Sequence, residues 1–398
     1  MSAWDISQYQ VPELEDKDRF QDFALPTPLM HAIADLGYQY CTPIQSEVLP
    51  LSLSDYDITG QAQTGTGKTA AFLITILTHL WEHPLDEPPP QGTPRALVLA
   101  PTRELAMQIE SDANDLSRHM HEAAQCVVGG IDFQKQRDRL KSEPVDILIA
   151  TPGRLLDFLN RGYINLKSVE TLVIDEADRM LDMGFIPDVR RIVYQTPHKH
   201  RRQTLFFSAT FNDDVMRLAR SWTVEPEHVA IMPENVAVDT VDQKFWLVSA
   251  ADKEQLLGDF LATEQPERAL IFTNRRDQTH RLNRSLNKRG IHVEPLAGDV
   301  PQRKRMSTLS RFKEGKVKYL VATDVAGRGI HVEGISHVIN FDLPEDAEDY
   351  VHRIGRTGRA GAAGVSISFV SEDDAFNLPS IEEFLGGPVL CTQPEFQS

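Results

Sequence analysis

The eight residues Ala62-Gln63-Thr64-Gly65-Thr66-Gly67-Lys68-Thr69 constrain the fold of this chain more than any other feature. Small residues and two glycines lead into a lysine and a threonine. An apolar run, Ala70-Ala71-Phe72-Leu73-Ile74, then opens a helix. Such a turn lets backbone N–H groups curl around phosphate oxygens, and the following helix aims its positive dipole end at the anion. The pattern matches the P-loop, with Ala62 in place of its first glycine, and a P-loop sits between a strand and a helix. Gln63, Thr64, Gly65, Thr66 and Gly67 are the expected cradle. Lys68 is placed at the outer phosphates of a nucleoside triphosphate, and the Thr69 hydroxyl is placed at Mg²⁺.

The rest of the chain fits an α/β architecture. Ala96-Leu97-Val98-Leu99-Ala100, Asp146-Ile147-Leu148-Ile149-Ala150, Thr171-Leu172-Val173-Ile174 and Thr204-Leu205-Phe206-Phe207 are apolar throughout rather than alternating. Continuous apolar runs mark parallel strands buried on both faces. Helical spacing fills the gaps, as in residues 104–116. The pattern then restarts with Phe245-Trp246-Leu247-Val248, Ala269-Leu270-Ile271-Phe272, Tyr319-Leu320-Val321-Ala322, His337-Val338-Ile339-Asn340 and Val365-Ser366-Ile367-Ser368-Phe369. The 398 residues therefore read as two tandem α/β domains, each a parallel sheet between helical layers. The expected boundaries are 18–225 and 243–385, with an extension at 1–17, a linker at 226–242 and a tail at 386–398.

Composition narrows the function classes. No apolar run of about 20 residues exists to span a membrane, and the first residues carry no secretory pattern. Cys41, Cys126 and Cys391 are far apart, so they form neither a disulfide framework nor a metal cluster. That usage fits the reducing cytoplasm. The net charge is −17, from 41 basic and 58 acidic residues, which disfavours a general nucleic-acid grip. Basic residues nevertheless gather at 198–202, 275–289, 303–305 and 352–359. Beyond Arg359 there is no Lys, Arg or His, while six acids follow. Any grip on nucleic acid must come from local patches.

A second chemical signature is Asp175-Glu176-Ala177-Asp178, which ends an apolar strand. Carboxylates at the carboxyl end of a parallel strand face the ligand crevice. Asp175 is placed to hold Mg²⁺, and Glu176 to orient and deprotonate the attacking water. Far downstream, His352-Arg353-Ile354-Gly355-Arg356-Thr357-Gly358-Arg359 concentrates arginines in a glycine spacing poor for a surface helix.

With these motifs in hand, the chain resembles the DEAD-box RNA helicases over residues 18–385. The resemblance implies two RecA-like P-loop domains, ATP and Mg²⁺ as ligands, and RNA held by its backbone with low sequence preference. It assigns Phe20, 17 positions before Gly37, and Gln45 to adenine recognition, the ring by stacking and the carboxamide by pairing. Pro101-Thr102-Arg103, Gly129-Gly130 and Thr151-Pro152-Gly153-Arg154 resemble RNA contacts of the first domain, through Arg103, Gly130, Thr151 and Arg154. Ser208-Ala209-Thr210 resembles the element coupling hydrolysis to strand separation, with Ser208 and Thr210 bonding Asp178 and with His352 as a further coupling residue. In the second domain Thr273, Arg305, Thr323 and Asp324 match RNA contacts. Arg356 and Arg359 match arginines that reach the γ-phosphate and make up the catalytic set with Lys68, Asp175 and Glu176.

Two positions depart from the family pattern. Cys41 stands where Pro is usual, and His331 where an Asp approaches the ATP ribose. With the acidic ending, these resemble the helicase type of the bacterial RNA degradosome. That likeness implies an endoribonuclease partner docking on the second domain and a role in RNA decay. Two competing readings share the motifs: an ATP-gated RNA clamp with little unwinding of its own, and a DNA translocase.

Overall fold

The computed structural model describes residues 4–62, 65–231, 241–298, 300–324, 332, 334–358 and 364–394. Gln63, Thr64, His331 and Arg359 lie outside them. The chain divides into two units, Met1–Met232 and Pro233–Ser398.

The first unit holds seven strands: β1 (Ile58–Gln61), β2 (Ala96–Leu99), β3 (Ala124–Val127), β4 (Ile147–Ala150), β5 (Thr171–Ile174), β6 (Gln203–Ser208) and β7 (Glu227–Ala230). Their order is β3-β4-β2-β5-β6-β1-β7, and every pair is parallel. Alternate side chains of a strand face opposite sides. Accordingly Ala96 and Val98 join one core cluster, and Leu97 and Leu99 the other. Each valine or leucine side chain among them, fully buried, stabilises by about 1.5–3 kcal/mol, so apolar runs of four anchor the sheet between two helical layers.

The second unit repeats this plan with β8 (Val241–Leu247), β9 (Ala269–Phe272), β10 (Val293–Leu296), β11 (Tyr319–Ala322), β12 (His337–Asn340), β13 (Gly364–Val370) and β14 (Cys391–Thr392). The order is β10-β11-β9-β12-β13-β8-β14. Numbered from its own first strand, each sheet therefore reads 3-4-2-5-6-1-7. Ala269 and Ile271 pack on one face of the second sheet, Leu270 and Phe272 on the other.

Two short strands fall outside the spans expected from sequence. β7 lies in the stretch read as linker and pairs with β1; β14 lies in the stretch read as tail and pairs with β8. Both are edge strands. β7 keeps only Val229 buried, and neither residue of β14 is fully buried. Edge positions need no apolar run, which is why hydropathy did not mark them.

Strands in a parallel sheet all begin at one edge and end at the other. At the beginning edge of the first sheet, Arg95 before β2 makes a forked pair with Glu170 before β5, at 2.6 and 2.8 Å. His79 adds a third contact at 2.9 Å. Burial alone would raise the Glu170 pKa, but the His79 and Arg95 hydrogen bonds outweigh it and bring the carboxyl down to about 2. The ending edge is where the chemistry gathers.

Candidate active site

The turn after β1 feeds helix α1 (Lys68–Glu82), whose residues 71–78 are all buried. Its N-cap is Gly67, with φ of 97° in the left-handed region. A Cβ there would stand 2.6 Å from Gln45 Nε2 and 2.7 Å from Thr42 Oγ1, so only glycine fits. Lys68, the first helical residue, is 5% exposed. Its Nζ donates to the Ala62 carbonyl at 2.7 Å and lies 3.9 Å from Asp175 Oδ1. Thr69 follows on the first turn, half-buried.

Asp175 comes just after β5 and is 2% exposed. Burial first, then Glu176 and Asp178, raise its pKa to about 6 in spite of Lys68 and the Glu176 N–H donated to Oδ1. A carboxylate in that position gains from a bound cation. Glu176 holds φ of 53°, an uncommon left-handed conformation for a glutamate. It caps the short helix α2 (Ala177–Asp182). Its Oε2 faces the buried Arg179 at 3.5 Å. Backbone strain of this kind clusters at functional sites.

Asp178 links this loop to the one after β6. Its Oδ2 accepts from the N–H groups of Ala209 and Thr210, both at 3.0 Å, and from the Thr210 hydroxyl at 3.3 Å. Ser208 also bonds Asp178 through its hydroxyl, which accepts from the Asp178 N–H at 3.2 Å. Ser208 is fully buried at the end of β6, so its oxygen meets the helix N-terminus and not the side chain.

Two residues expected at the adenine do not offer a free surface. Phe20 is 1% exposed and packs in the core beside Tyr38, with ring centroids 6.1 Å apart. Neither face of its ring is open to a base. Gln45 is 5% exposed; its oxygen accepts from the Thr42 N–H at 2.8 Å and its nitrogen donates to the Gly67 carbonyl at 3.0 Å. Gln45 thus ties its own helix to the phosphate turn.

The candidate RNA contacts sort onto the other half of the sheet. Arg103 follows β2, Gly129 and Gly130 follow β3, and Thr151 to Arg154 follow β4, which are three adjacent strands. The Arg103 guanidinium covers Gly129, where a Cβ would come within 3.3 Å of it. Both Nη atoms of Arg154 donate to the Ile131 carbonyl, at 3.1 and 3.2 Å. Burial lowers the Arg154 pKa. Thr151 caps the helix Pro152–Asn160 and is 9% exposed. Gln136 was not anticipated. Its carboxamide grips the N–H and carbonyl of Val128 and the Ile131 carbonyl, and so holds the glycine loop. A single glutamine in a polar helix leaves no pattern to find.

In the second unit, the residue that sequence reasoning passed over is the central one. Arg353 is 1% exposed. It forks onto both carboxylate oxygens of Asp324 at 2.6 Å, donates to the Asp342 carbonyl at 2.6 Å and to Asn274 Oδ1 at 2.8 Å, and lies over Phe272. The signal was helical spacing: Tyr350, Arg353 and Ile354 share the buried face of the helix Ala347–Ile354. Asp324 is therefore engaged by Arg353. Thr273 is fully buried, its hydroxyl shared with Thr279 at 2.7 Å, so only its backbone can meet RNA. Thr323 is 6% exposed, and Arg305 is half-buried on the helix Gln302–Lys313. Arg356 is 4% exposed and donates from Nε to the His352 carbonyl at 3.2 Å. His352 Nδ1 faces Asp349 at 3.7 Å.

Comparison with known proteins agrees with this geometry. Residues 42–218 match the DEAD/DEAH box helicase model, and residues 252–361 match the helicase conserved C-terminal domain. The ATP-dependent RNA helicase RhlB of Pseudomonas aeruginosa is 59% identical over 96% of this chain and 97% of its own length. That of Shewanella sediminis is 45% identical over 94% of this chain and 86% of its own. Among solved structures, S. cerevisiae Dbp5 bound to RNA and ADP BeF3 superposes with a TM-score of 0.83 at 31% identity, covering 94% of this chain and 95% of that one. Mss116p bound to ssRNA and AMP-PNP gives 0.85 at 29% identity, covering 98% and 82%. With both family models matched and these relatives aligned over most of their length, the chain belongs to the DEAD/DEAH box helicase family, among its ATP-dependent RNA helicases.

Proposed function

We propose that the chain couples ATP hydrolysis to local opening of RNA duplexes. The observation that carries this reading is the juxtaposition of Lys68, Asp175 and Glu176 at the ending edge of the first sheet. A buried amine stands 3.9 Å from a buried carboxylate whose pKa is pushed up to about 6. That pair is poised for an anion and a cation to enter together. The residues fit Mg²⁺: Asp175 and the Thr69 hydroxyl would hold it, and it would neutralise charge on the phosphate oxygens.

Lys68 and the amides of the 65–69 turn orient the phosphates. Glu176, fixed by its strained backbone and by Arg179, positions the water and accepts its proton. Asp178 passes any shift of this loop to Ala209 and Thr210 through three hydrogen bonds. Arg356 and Arg359 of the second unit supply positive charge to the transferring phosphoryl group. RNA lies on the Arg103, Gly130 and Arg154 loops and is met through its backbone, so sequence preference is low. We place the activity in the cytoplasm, in RNA decay, with an endoribonuclease partner docking on the second unit.

Glu176→Gln should keep ATP binding while turnover falls by about 10²–10⁴; unchanged hydrolysis rules Glu176 out as the base. Arg356→Ala should cut hydrolysis by about 10³–10⁵ with RNA-free ATP affinity intact. Equal loss of both would make Arg356 structural. Strand displacement measured with and without ATP separates a helicase from a clamp, which would bind RNA under ATP without releasing a strand.

A further inference from the structure

We propose that His31, Asp35 and His119 bind a divalent transition-metal ion of the zinc class, at a site separate from the triphosphate chemistry. His31 and Asp35 belong to the helix Thr27–Asp35, which buries Leu29, Met30, Ala32 and Ile33 against the core. A spacing of four puts the two polar side chains together on the opposite face. His119 comes from the turn after the helix Arg103–Leu116, closed by the Met120 N–H bonding the Ser117 carbonyl at 2.8 Å.

The three side chains converge. His119 Nε2 lies 2.7 Å from Asp35 Oδ2, and His31 Nε2 lies 3.8 Å from Asp35 Oδ1. One donor atom from each residue lies within 4.8 Å of the others, and among the described residues this is the one cluster of three or more His, Cys, Asp or Glu side chains that meets that condition. Tetrahedral zinc bonds of about 2.0–2.2 Å put neighbouring donors roughly 3.3 Å apart. Binding turns the two rings out of their parallel stack, because an imidazole nitrogen coordinates in the plane of its own ring.

The imidazoles are already neighbours. Their rings stack 3.7 Å apart at 5°, and Trp4 stacks on His31 at 4.7 Å and 12°. This column aims both Nε2 atoms at one carboxylate. Arg118 competes weakly for Asp35 at 3.9 Å, since its shorter contact, 2.7 Å, is to Asp115. Two imidazoles and one carboxylate suit Zn²⁺, Ni²⁺ or Cu²⁺; Mg²⁺ demands oxygen ligands. His119 lies between the end of a crossover helix and the start of β3, at the beginning edge of the sheet. Lys68 and Asp175 occupy the ending edge. The ion would pin the helix between Phe20 and Gln45 to the end of the Arg103–Leu116 helix, segments 84 residues apart.

The test uses the full chain, stripped with chelator, with its cysteines reduced, in buffer containing Mg²⁺. Zn²⁺ is titrated calorimetrically, and the melting temperature is read with and without it. One equivalent should bind in the micromolar range despite Mg²⁺ and should raise the melting temperature. His31→Ala and His119→Ala should each weaken binding roughly tenfold or more and abolish the thermal shift. RNA-stimulated ATPase of the metal-free variants should equal wild type, which shows that they fold. Ni²⁺ should quench part of the tryptophan emission, and Trp4→Phe should remove that quenching while keeping affinity. Stoichiometric binding that survives both histidine variants, or no saturable binding in wild type, overturns the proposal.

Discussion

Lys68 and Lys253 hold the same place in two copies of one topology. Each is the first residue of the helix that follows the first strand of its sheet. Each is about equally buried, at 5% and 4% exposure. Their surroundings differ. Lys68 leans on the Ala62 carbonyl and stands 3.9 Å from the nearest carboxylate. Lys253 is 2.5 Å from Asp374 and 3.6 Å from Asp342, which follows β12 much as Asp175 follows β5. Asp374 is itself fixed by the N–H groups of Leu343 at 2.9 Å and Ser371 at 3.0 Å. The loops differ in the same sense. The first, Ala62 to Gly67, carries two glycines. The second, Val248-Ser249-Ala250-Ala251-Asp252, carries none and ends in an acid. Topology delivers a lysine to the same place twice. Whether that lysine can serve a phosphate depends on whether the fold has already satisfied its charge.

The largest expected effect tests this directly. Lys253→Met leaves the buried Asp374 carboxylate, 4% exposed, without its ion-pair partner. Removing one partner of a buried pair costs about 3–5 kcal/mol. Lys68→Met should abolish ATP binding at a much smaller stability cost, because Asp175, with its pKa already near 6, can take up a proton. Denaturant unfolding of both variants, without nucleotide, is the measurement. Equal destabilisation would show that Lys68 is as structural as Lys253.

The next effect concerns the loop. Gly67→Ala must hold a non-glycine residue at φ of 97°, which costs about 1–3 kcal/mol. It must also push Gln45 and Thr42 away from the new Cβ. ATP affinity should fall roughly 5–150-fold, the equivalent of that energy, while the second unit's unfolding stays unchanged. Nucleotide titration reads it; undiminished affinity would show that the Gln45–Gly67 hydrogen bond does not shape the phosphate turn.

The contrast between the two lysines also explains what was legible in the sequence. The phosphate turn and the Asp175-Glu176-Ala177-Asp178 run are contiguous, and their spacing is imposed by a ligand. The parallel sheets announced themselves through runs such as Leu97-Val98-Leu99, apolar because both faces are buried. Lys253–Asp374 and Arg353–Asp324 are pairs of single residues, 121 and 29 positions apart, with no ligand to impose a spacing. Exposure was the other blind spot. Phe20 and Thr273 match motif positions, yet their side chains lie in the core, because a motif records a location and not the direction of a side chain. Edge strands β7 and β14 escaped because an edge does not need to be apolar.

The smallest expected effect is the one most able to break the comparison. Ala250→Gly with Asp252→Gly writes a glycine-bearing turn ahead of Lys253 and removes the acid at the helix start. Neither position has positive φ, so each glycine should cost only about 0.5–1 kcal/mol. If loop flexibility were what separates the two units, the altered turn would gain a phosphate site. If the satisfied lysine is what separates them, nothing should bind, because Asp374 still holds Lys253. Made in the Lys68→Ala background, which silences the first site, the double change should show no saturable ATP binding. Adding Asp374→Asn should then release the amine and give weak, salt-sensitive binding of triphosphate. Binding that appears before Asp374 is touched would assign the difference between the units to their loops and not to the buried ion pair.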